Sequence, residues 1–255
     1  IVNSESLWNF ANSNAAGTMS KRVKWRDLAN FEFLLPPKAQ QTEIAELLWA
    51  VDAVVEKQIE TDQKIDLLIK SYAKAHYFQK HEKFIKLKDI GKWVSGGTPS
   101  RRVSEYWSGD IPWVSPKDMK REIIENSIEH ISQGAVNDGA KLLPEKSILM
   151  VVRGLILAHS FPVGLTKGEI AFNQDIRAVI PSENIIPEYM LFFLHAIKDR
   201  VLCLTTTTTH GTRRLATDTF SEILMPCPSY KDQKDFTDKV LVQKAAKENN
   251  LVSLK

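Results

Sequence analysis

Residues 7 to 44 of this 255-residue chain return, degenerate but nearly in register, as residues 201 to 236. Leu7-Trp8 and Phe10 correspond to Val201-Leu202 and Leu204, and each set is followed by polar or small residues and a Gly-Thr pair, Gly17-Thr18 and Gly211-Thr212. Basic residues come next (Lys21 and Arg22; Arg213 and Arg214), then Asp27 or Asp218, then an apolar stretch closed by prolines, Pro36-Pro37 and Pro226-Cys227-Pro228. Both copies continue through a glutamine, Gln41 or Gln233, with Ile44 or Phe236 three positions on. The offset is 194 at Gly-Thr and 192 at Gln. A repeat this long is not a solenoid unit. It implies two equivalent modules, each a globular part followed by a helix, and a partner or ligand with two equivalent halves.

A chain of this length buries a real core and holds one or two domains. The net charge of +3 is too small to argue for nucleic acid by itself. Its distribution is more informative: between Lys80 and Arg102, seven bases face only Glu82 and Asp89. Such a local excess suits a phosphate backbone; a solvated face explains the lysines equally well and the arginines near the glycines less well. Cys203 and Cys227 lie far apart and outside metal-ligand spacing, and Cys203 falls in an apolar helical stretch that points to the core. Without a signal peptide or a long apolar run, the expected setting is cytoplasmic and reducing. The first residue is Ile1 rather than Met, as expected of a fragment.

Along the chain, residues 1–38 read as the tail of a domain, with a strand expected from Phe31 to Leu35. A long helix is expected from about Ala39 to Lys80. Ile44, Leu48, Val51, Val55, Gln58, Asp62, Ile65, Ile69 and Tyr72 recur at alternating spacings of four and three, a heptad seam that needs an apolar partner. The helix from Lys231 onward, with Phe236, Val240 and Leu251, is the obvious candidate. Residues 82–230 read as one α/β (α+β) domain. Strands are expected at Ile111–Ser115, Lys146–Arg153 and Glu169–Ile180, a helix from Pro187 to about Leu204, and a threonine-rich loop from Thr205 to Gly211.

Four segments carry candidate chemistry. The loop Gly96 to Arg102 offers Gly97, Thr98, Ser100, Arg101 and Arg102: glycine for close approach, hydroxyls for phosphate, guanidinium forks for base edges. A plain surface turn would look the same. Tyr106, Trp107 and Trp113 interleave with Lys117, and core packing is favoured for Trp113 while Trp107 stays open. Asn173-Gln174-Asp175 interrupts an apolar strand, so that Gln174 either meets adenine or the segment folds on its own backbone. The stretch from Thr205 to Arg214 contributes Thr208, His210, Arg213 and Arg214, and Arg153 follows a strand. Hydrolase, zincin and nucleotide fingerprints are missing; Asp110 with Asp118-Met119-Lys120 is the only catalytic candidate, loosely a Mg²⁺-dependent nuclease pattern.

These residues resemble the specificity subunits of Type I restriction-modification enzymes. The resemblance rests on Leu87-Lys88-Asp89-Ile90, Gly97-Thr98-Pro99-Ser100, the run Tyr106 to Ser115 with Asp118, Asn173-Gln174, and the two proline closures leading to Gln41 and Gln233. It implies a non-catalytic reader of double-stranded DNA without a cofactor of its own. A target-recognition domain at 82–230 would read half of an interrupted target. Long antiparallel spacer helices, at 39–81 and from 231 to 255, would fix the gap and hold methyltransferase subunits. A restriction/translocase subunit would complete the assembly. In that family two full recognition domains alternate with two helices, whereas residues 1–38 here match only a domain's tail. The alternatives are a helix-mediated self-association module and the nuclease.

Overall fold

The computed structural model describes residues 4–17, 20–208 and 211–252, and the side chains of 248–252 lie outside that description. The chain divides into two compact units, Ile1–Ile59 and Glu60–Lys255. In the first, α1 (Glu5–Ser13) starts at Ser4, whose Oγ accepts the Leu7 N–H at 3.4 Å and satisfies one of the free donors of the first turn. A bridge between Ala16 and Arg22 closes the loop before the short α2 (Trp25–Leu28). The strand expected at Phe31–Leu35 is absent: the segment runs without a ladder partner into Pro36-Pro37. Its counterpart in the second copy is a strand because it pairs with Phe84–Lys86, and no described residue plays that part for the first copy.

Helix α3 runs unbroken from Lys38 to Phe78. It begins just after Pro36-Pro37 and contains neither proline nor glycine, so nothing in the sequence interrupts its ladder. Its seam has two fates. Ile69 and Tyr72 pack against the core of the second unit, while Ile44, Leu48, Val51 and Val55 are 41–58% exposed.

The second unit contains thirteen strands among the described residues. They are β1 (Phe84–Lys86), β2 (Gly91–Ser95), β3 (Ile111–Val114), β4 (Ile123–Ile124), β5 (Glu129–Ile131), β6 (Leu142–Leu143) and β7 (Ile148–Val151). Then follow β8 (Val163–Thr166), β9 (Ile170–Phe172), β10 (Ile176–Pro181), β11 (Thr205–Thr207), β12 (Arg213–Leu215) and β13 (Leu224–Pro226). Its helices after α3 are α4 (Gln133–Asn137), α5 (Pro187–Ala196), α6 (Lys198–Cys203), α7 (Thr217–Ser221) and α8 (Tyr230–Val252). The main sheet has the order β2-β10-β7-β8-β4, and a second has the order β5-β3-β9-β6. The main sheet is antiparallel except where β4 meets β8. Strands β1 and β13 pair at the domain's two ends, and β11 and β12 form a ribbon of their own.

Three expectations are corrected. The single strand expected at Glu169–Ile180 is two strands in different sheets, β9 and β10. Asn173-Gln174-Asp175 makes the break, with the Asp175 N–H donating to Asn173 Oδ1 at 3.1 Å, and a short polar side chain that captures local backbone ends a ladder. The helix after Pro187 breaks at Ile197 into α5 and α6. Cys203, expected in the core, is exposed at the end of α6.

Apolar side chains of β7, β10 and α5 are almost fully buried, among them Leu149, Met150, Ile176, Tyr189 and Phe193. The ends of the long helices close over this core through aromatic rings. Phe236 of α8 stacks on Tyr72 (5.4 Å between centroids) and on His76 (4.1 Å). Tyr77 donates its hydroxyl to the Tyr189 carbonyl at 2.7 Å. Further along, Lys247 of α8 meets Asp66 of α3 at 2.7 Å, so contacts step down one helix as they step up the other and the two run antiparallel. The proline-to-helix junctions match in detail. Gln41 Nε2 donates to the Pro36 carbonyl at 2.6 Å and Gln233 Nε2 to the Pro228 carbonyl at 3.2 Å, the same five-residue span in both copies.

Candidate nucleic-acid interface

Within the stretch from Thr205 to Arg214, expected as a loop, the described residues form a β-ribbon. Thr205, Thr206 and Thr207 pair with Leu215, Arg214 and Arg213. Threonine is a poor helix former and a good strand former, which is why α6 stops at Cys203 and the chain turns extended. At its base the ribbon is tied to the end of β7: Arg153 bridges Arg214, the Leu215 N–H donates to the Val152 carbonyl at 2.9 Å, and the Gly154 N–H donates to the Arg213 carbonyl at 3.0 Å. Gly154 has φ 146°, a conformation that side chains disfavour. At the other end Thr206, Thr207 and Thr208 are exposed. The Thr208 carbonyl accepts the Gly211 N–H at 2.9 Å, and His210 lies outside the described residues. Arg213 Nη1 donates to Thr205 Oγ1 at 3.3 Å across the ribbon.

Beneath the ribbon a cavity of about 180 Å³ collects Arg153, Gln174, Arg177 and Arg214, with Ser95 and Thr217. Asp175 lies 3.8 Å from Arg153. Gln174 Oε1 accepts the Thr98 hydroxyl at 2.6 Å, which turns the amide's donor end free and joins the Gly97-Thr98 loop to this cluster. That loop is fixed from below. The Gly97 N–H donates to the Phe172 carbonyl at 3.0 Å, and Trp113 Nε1 donates to the Gly97 carbonyl at 3.0 Å. A Cβ on Gly96 would fall 2.3 Å from the Asn173 carbonyl oxygen, so glycine is required there for the close approach.

The remaining candidates are dispersed. Arg101 stacks 3.4 Å above the Trp107 ring and grips Glu129 through both Nη atoms, at 2.5 and 2.9 Å. That bidentate contact lowers the Glu129 carboxyl's pKa and raises that of Arg101. The fork most suited to a base edge is therefore already engaged, and it props the loop from Ser100 to Trp107. Trp113 is buried and Trp107 packs edge-on against it at 5.0 Å. Ser100 and Arg102 are exposed on the same loop. Lys117 sits apart, on the rim of a groove of about 1410 Å³ that also includes α8 residues.

Neighbours distant in sequence reduce the basic excess between Lys80 and Arg102. Lys86 and Lys88 each meet Glu222 at 2.6 Å, and both hold its carboxyl down to about 2. Asp118 accepts from the Ser115 N–H, the Ser115 hydroxyl and the Ile128 N–H, each at 2.8 Å. Both its oxygens serve as loop caps, which does not favour the nuclease reading. Sequence reasoning missed Arg177, a lone arginine in the apolar run Ile176 to Ile180 of β10. That interruption was its only signal.

The match to the family of Type I restriction modification DNA specificity domains covers residues 80–240, and the chain belongs to that family. It is 37% identical over 150 residues to the EcoR124I/EcoR124II specificity subunit of Escherichia coli, covering 58% of this chain and 37% of that one. To the MjaIX specificity subunit of Methanocaldococcus jannaschii it is 36% identical over 155 residues, covering 58% and 34%. The chain thus spans little more than a third of these curated relatives. Among solved structures, the HsdS subunit of Thermoanaerobacter tengcongensis matches with a TM-score of 0.58 at 15% identity, over 99% of this chain and 63% of that one. A structure described as the basis of complex assembly and conformational transition of the type I R-M system matches with a TM-score of 0.70 at 14% identity, over 98% and 64%. At these identities the likeness is one of fold, mixed helix and sheet with a long helix.

Proposed function

We propose that this chain is a sequence-reading part of a Type I restriction-modification assembly, itself without catalytic function. Residues 82–230 act as a target-recognition domain for half of an interrupted double-stranded DNA target. The observation that carries this is the ribbon β11–β12, with exposed Thr206, Thr207 and Thr208 and half-buried Arg213, set above a cavity lined by three arginines. A two-stranded ribbon fits the major groove, where arginine and threonine meet base edges. Residues 1–38 are then the tail of a first recognition domain. The stretches 39–81 and 231–255 are the spacer helices that set the gap between half-sites.

The exposed stripe of α3, with Ile44, Leu47, Leu48, Val51, Val54 and Val55, supports a role in holding methyltransferase subunits, because an apolar helix face of that length needs a cover. A restriction/translocase subunit joins the same complex, and the setting is the cytoplasm. No described helix is long and apolar enough to cross a membrane.

The test is the double variant Thr207→Ala with Arg213→Ala, cross-strand partners in the ribbon. Binding to target and scrambled duplexes is measured at one salt concentration, on the full chain alone and reconstituted with methyltransferase subunits. Losing one good base contact costs ~1–3 kcal/mol, so discrimination falls about fivefold or more. Unchanged discrimination by the reconstituted complex would sink the reading.

A further inference from the structure

Arg177 stands on β10, an interior strand of the main sheet, with Ser95 of β2 and Met150 of β7 as its cross-strand neighbours. An interior strand is an unusual place for an arginine, and its cross-strand neighbour Met150 is fully buried. The side chain is half-buried, yet its guanidinium makes no hydrogen bond or ion pair with any described residue. It lines both the cavity under the ribbon and an adjoining one of about 170 Å³ floored by Trp93, Met150 and Phe220. A half-buried guanidinium that no protein acceptor engages keeps its donors free to meet an anion.

The cavity's chemistry says what that acceptor is. Arg153, Arg177 and Arg214 only donate, and Gln174 presents its amide donors because Thr98 occupies its oxygen. Among the described residues the carboxylate ion-paired with one of these arginines is Asp175, 3.8 Å from Arg153, and it also accepts from Asn173 Nδ2 at 3.3 Å. Three guanidinium groups and an amide outnumber the acceptors here, which suits an oxyanion with several lone pairs. Shape narrows the choice further. Base edges lie ~8.5 Å deep in the major groove and are met by elements that project, as the ribbon does. Phosphates stand out from the duplex and fit a recess.

We infer that the cavity beneath the ribbon is a clamp for one phosphate of the DNA backbone, with Arg177 as its central donor and Arg153 and Arg214 at its rim. This inference rests on the proposed function and adds a division of labour to it. The ribbon reads bases, and the recess at its root fixes how deep and in what register the ribbon enters.

The experiment compares the wild-type chain with Arg177→Met, Arg177→Lys and the ribbon double variant, using thermal unfolding to confirm folding. Inorganic phosphate is titrated into the full chain. Binding to target and scrambled duplexes is followed against salt, in the reconstituted complex. Arg177→Met is expected to abolish saturable phosphate binding and to reduce the slope of log K against log salt by about one, with discrimination between duplexes unchanged. Arg177→Lys retains the slope, because a point charge serves a phosphate. A neutral methylphosphonate placed along the duplex weakens the wild type at one position and leaves Arg177→Met indifferent there.

Lost discrimination with an unchanged slope would make Arg177 a base reader and overturn the inference. So would phosphate binding without any change on DNA, which would mark a site for free anions. If Arg177→Met changes nothing while the ribbon variant still erases discrimination, the clamp fails and the proposed function stands. If the wild-type complex shows no preference for any duplex, both fail.

Discussion

Replacing Gln233 by alanine tests whether the strand-to-helix junction holds the second unit together. Gln233 is 1% exposed. Its amide donates to the Asn184 carbonyl at 3.0 Å and the Pro228 carbonyl at 3.2 Å, while its oxygen accepts the Ile186 N–H at 3.0 Å. One side chain thus ties the first turn of α8, the turn before it and the N-cap of α5. Truncation leaves three polar groups without their partner. A buried group left unsatisfied costs ~1–3 kcal/mol, and taking the low end for each, because water can enter the vacated space, gives a loss of about 3 kcal/mol. Gln41 is the matched control. It occupies the equivalent place in the first copy but has one such bond, to Pro36, in a half-exposed setting. Gln41→Ala is therefore expected to cost about 1 kcal/mol or less. Urea unfolding of both variants, followed by tryptophan fluorescence and circular dichroism, measures the difference. Equal and small losses would refute the reasoning, since the junction would then owe its geometry to backbone and apolar contacts.

Two predictions concern pH. The Glu222 carboxyl is held down to about 2 by hydrogen bonds from Lys86 and Lys88, so its contribution is full above its ordinary value of 4.5 and is lost as pH falls towards 2. Glu222→Gln should remove that part of the acid dependence, read as a flatter unfolding midpoint between pH 4.5 and 2. His76, between Phe236 and Tyr189, is lowered to about 4 by burial and then by His81, with Asp232 opposing. The unfolded chain binds this proton more readily, so stability is full above 6.5 and declines as pH falls from 6.5 to 4. His76→Phe keeps the stack on Phe236 and should lessen that decline. An unchanged pH profile of the thermal midpoint would contradict the assignment.

Part of this molecule was legible from residue order. The doubled Pro-to-Gln junction, the long helix without proline or glycine and the buried Trp113 all follow from local rules: a capture by a nearby side chain, an uninterrupted ladder, an apolar ring in an apolar strand. The strand expected at Phe31–Leu35 had the right composition and failed because a strand exists only with a partner. Cys203 sat in an apolar run and was left outside because α6 turns only one face, with Val201, to the core. Threonine-rich residues 205–207 read as a loop, yet extended propensity plus a facing strand makes a ribbon.

For the candidate site the division is sharper. Residue types alone nominated Arg153, Gln174, Arg213 and Arg214 as candidates, on their charge and hydrogen-bonding capacity. Only the fold could show that Arg101 is held by Glu129 across 28 positions, or that Lys88 meets Glu222 across 134. It alone brings Arg177 to stand beside Arg153 and Arg214 without an acceptor. Periodicity and propensity act over a few neighbouring residues and are written in the chain. Which charges are neutralised, and which remain free to meet a ligand, depends on contacts between distant segments, and these exist only once the sheets have formed.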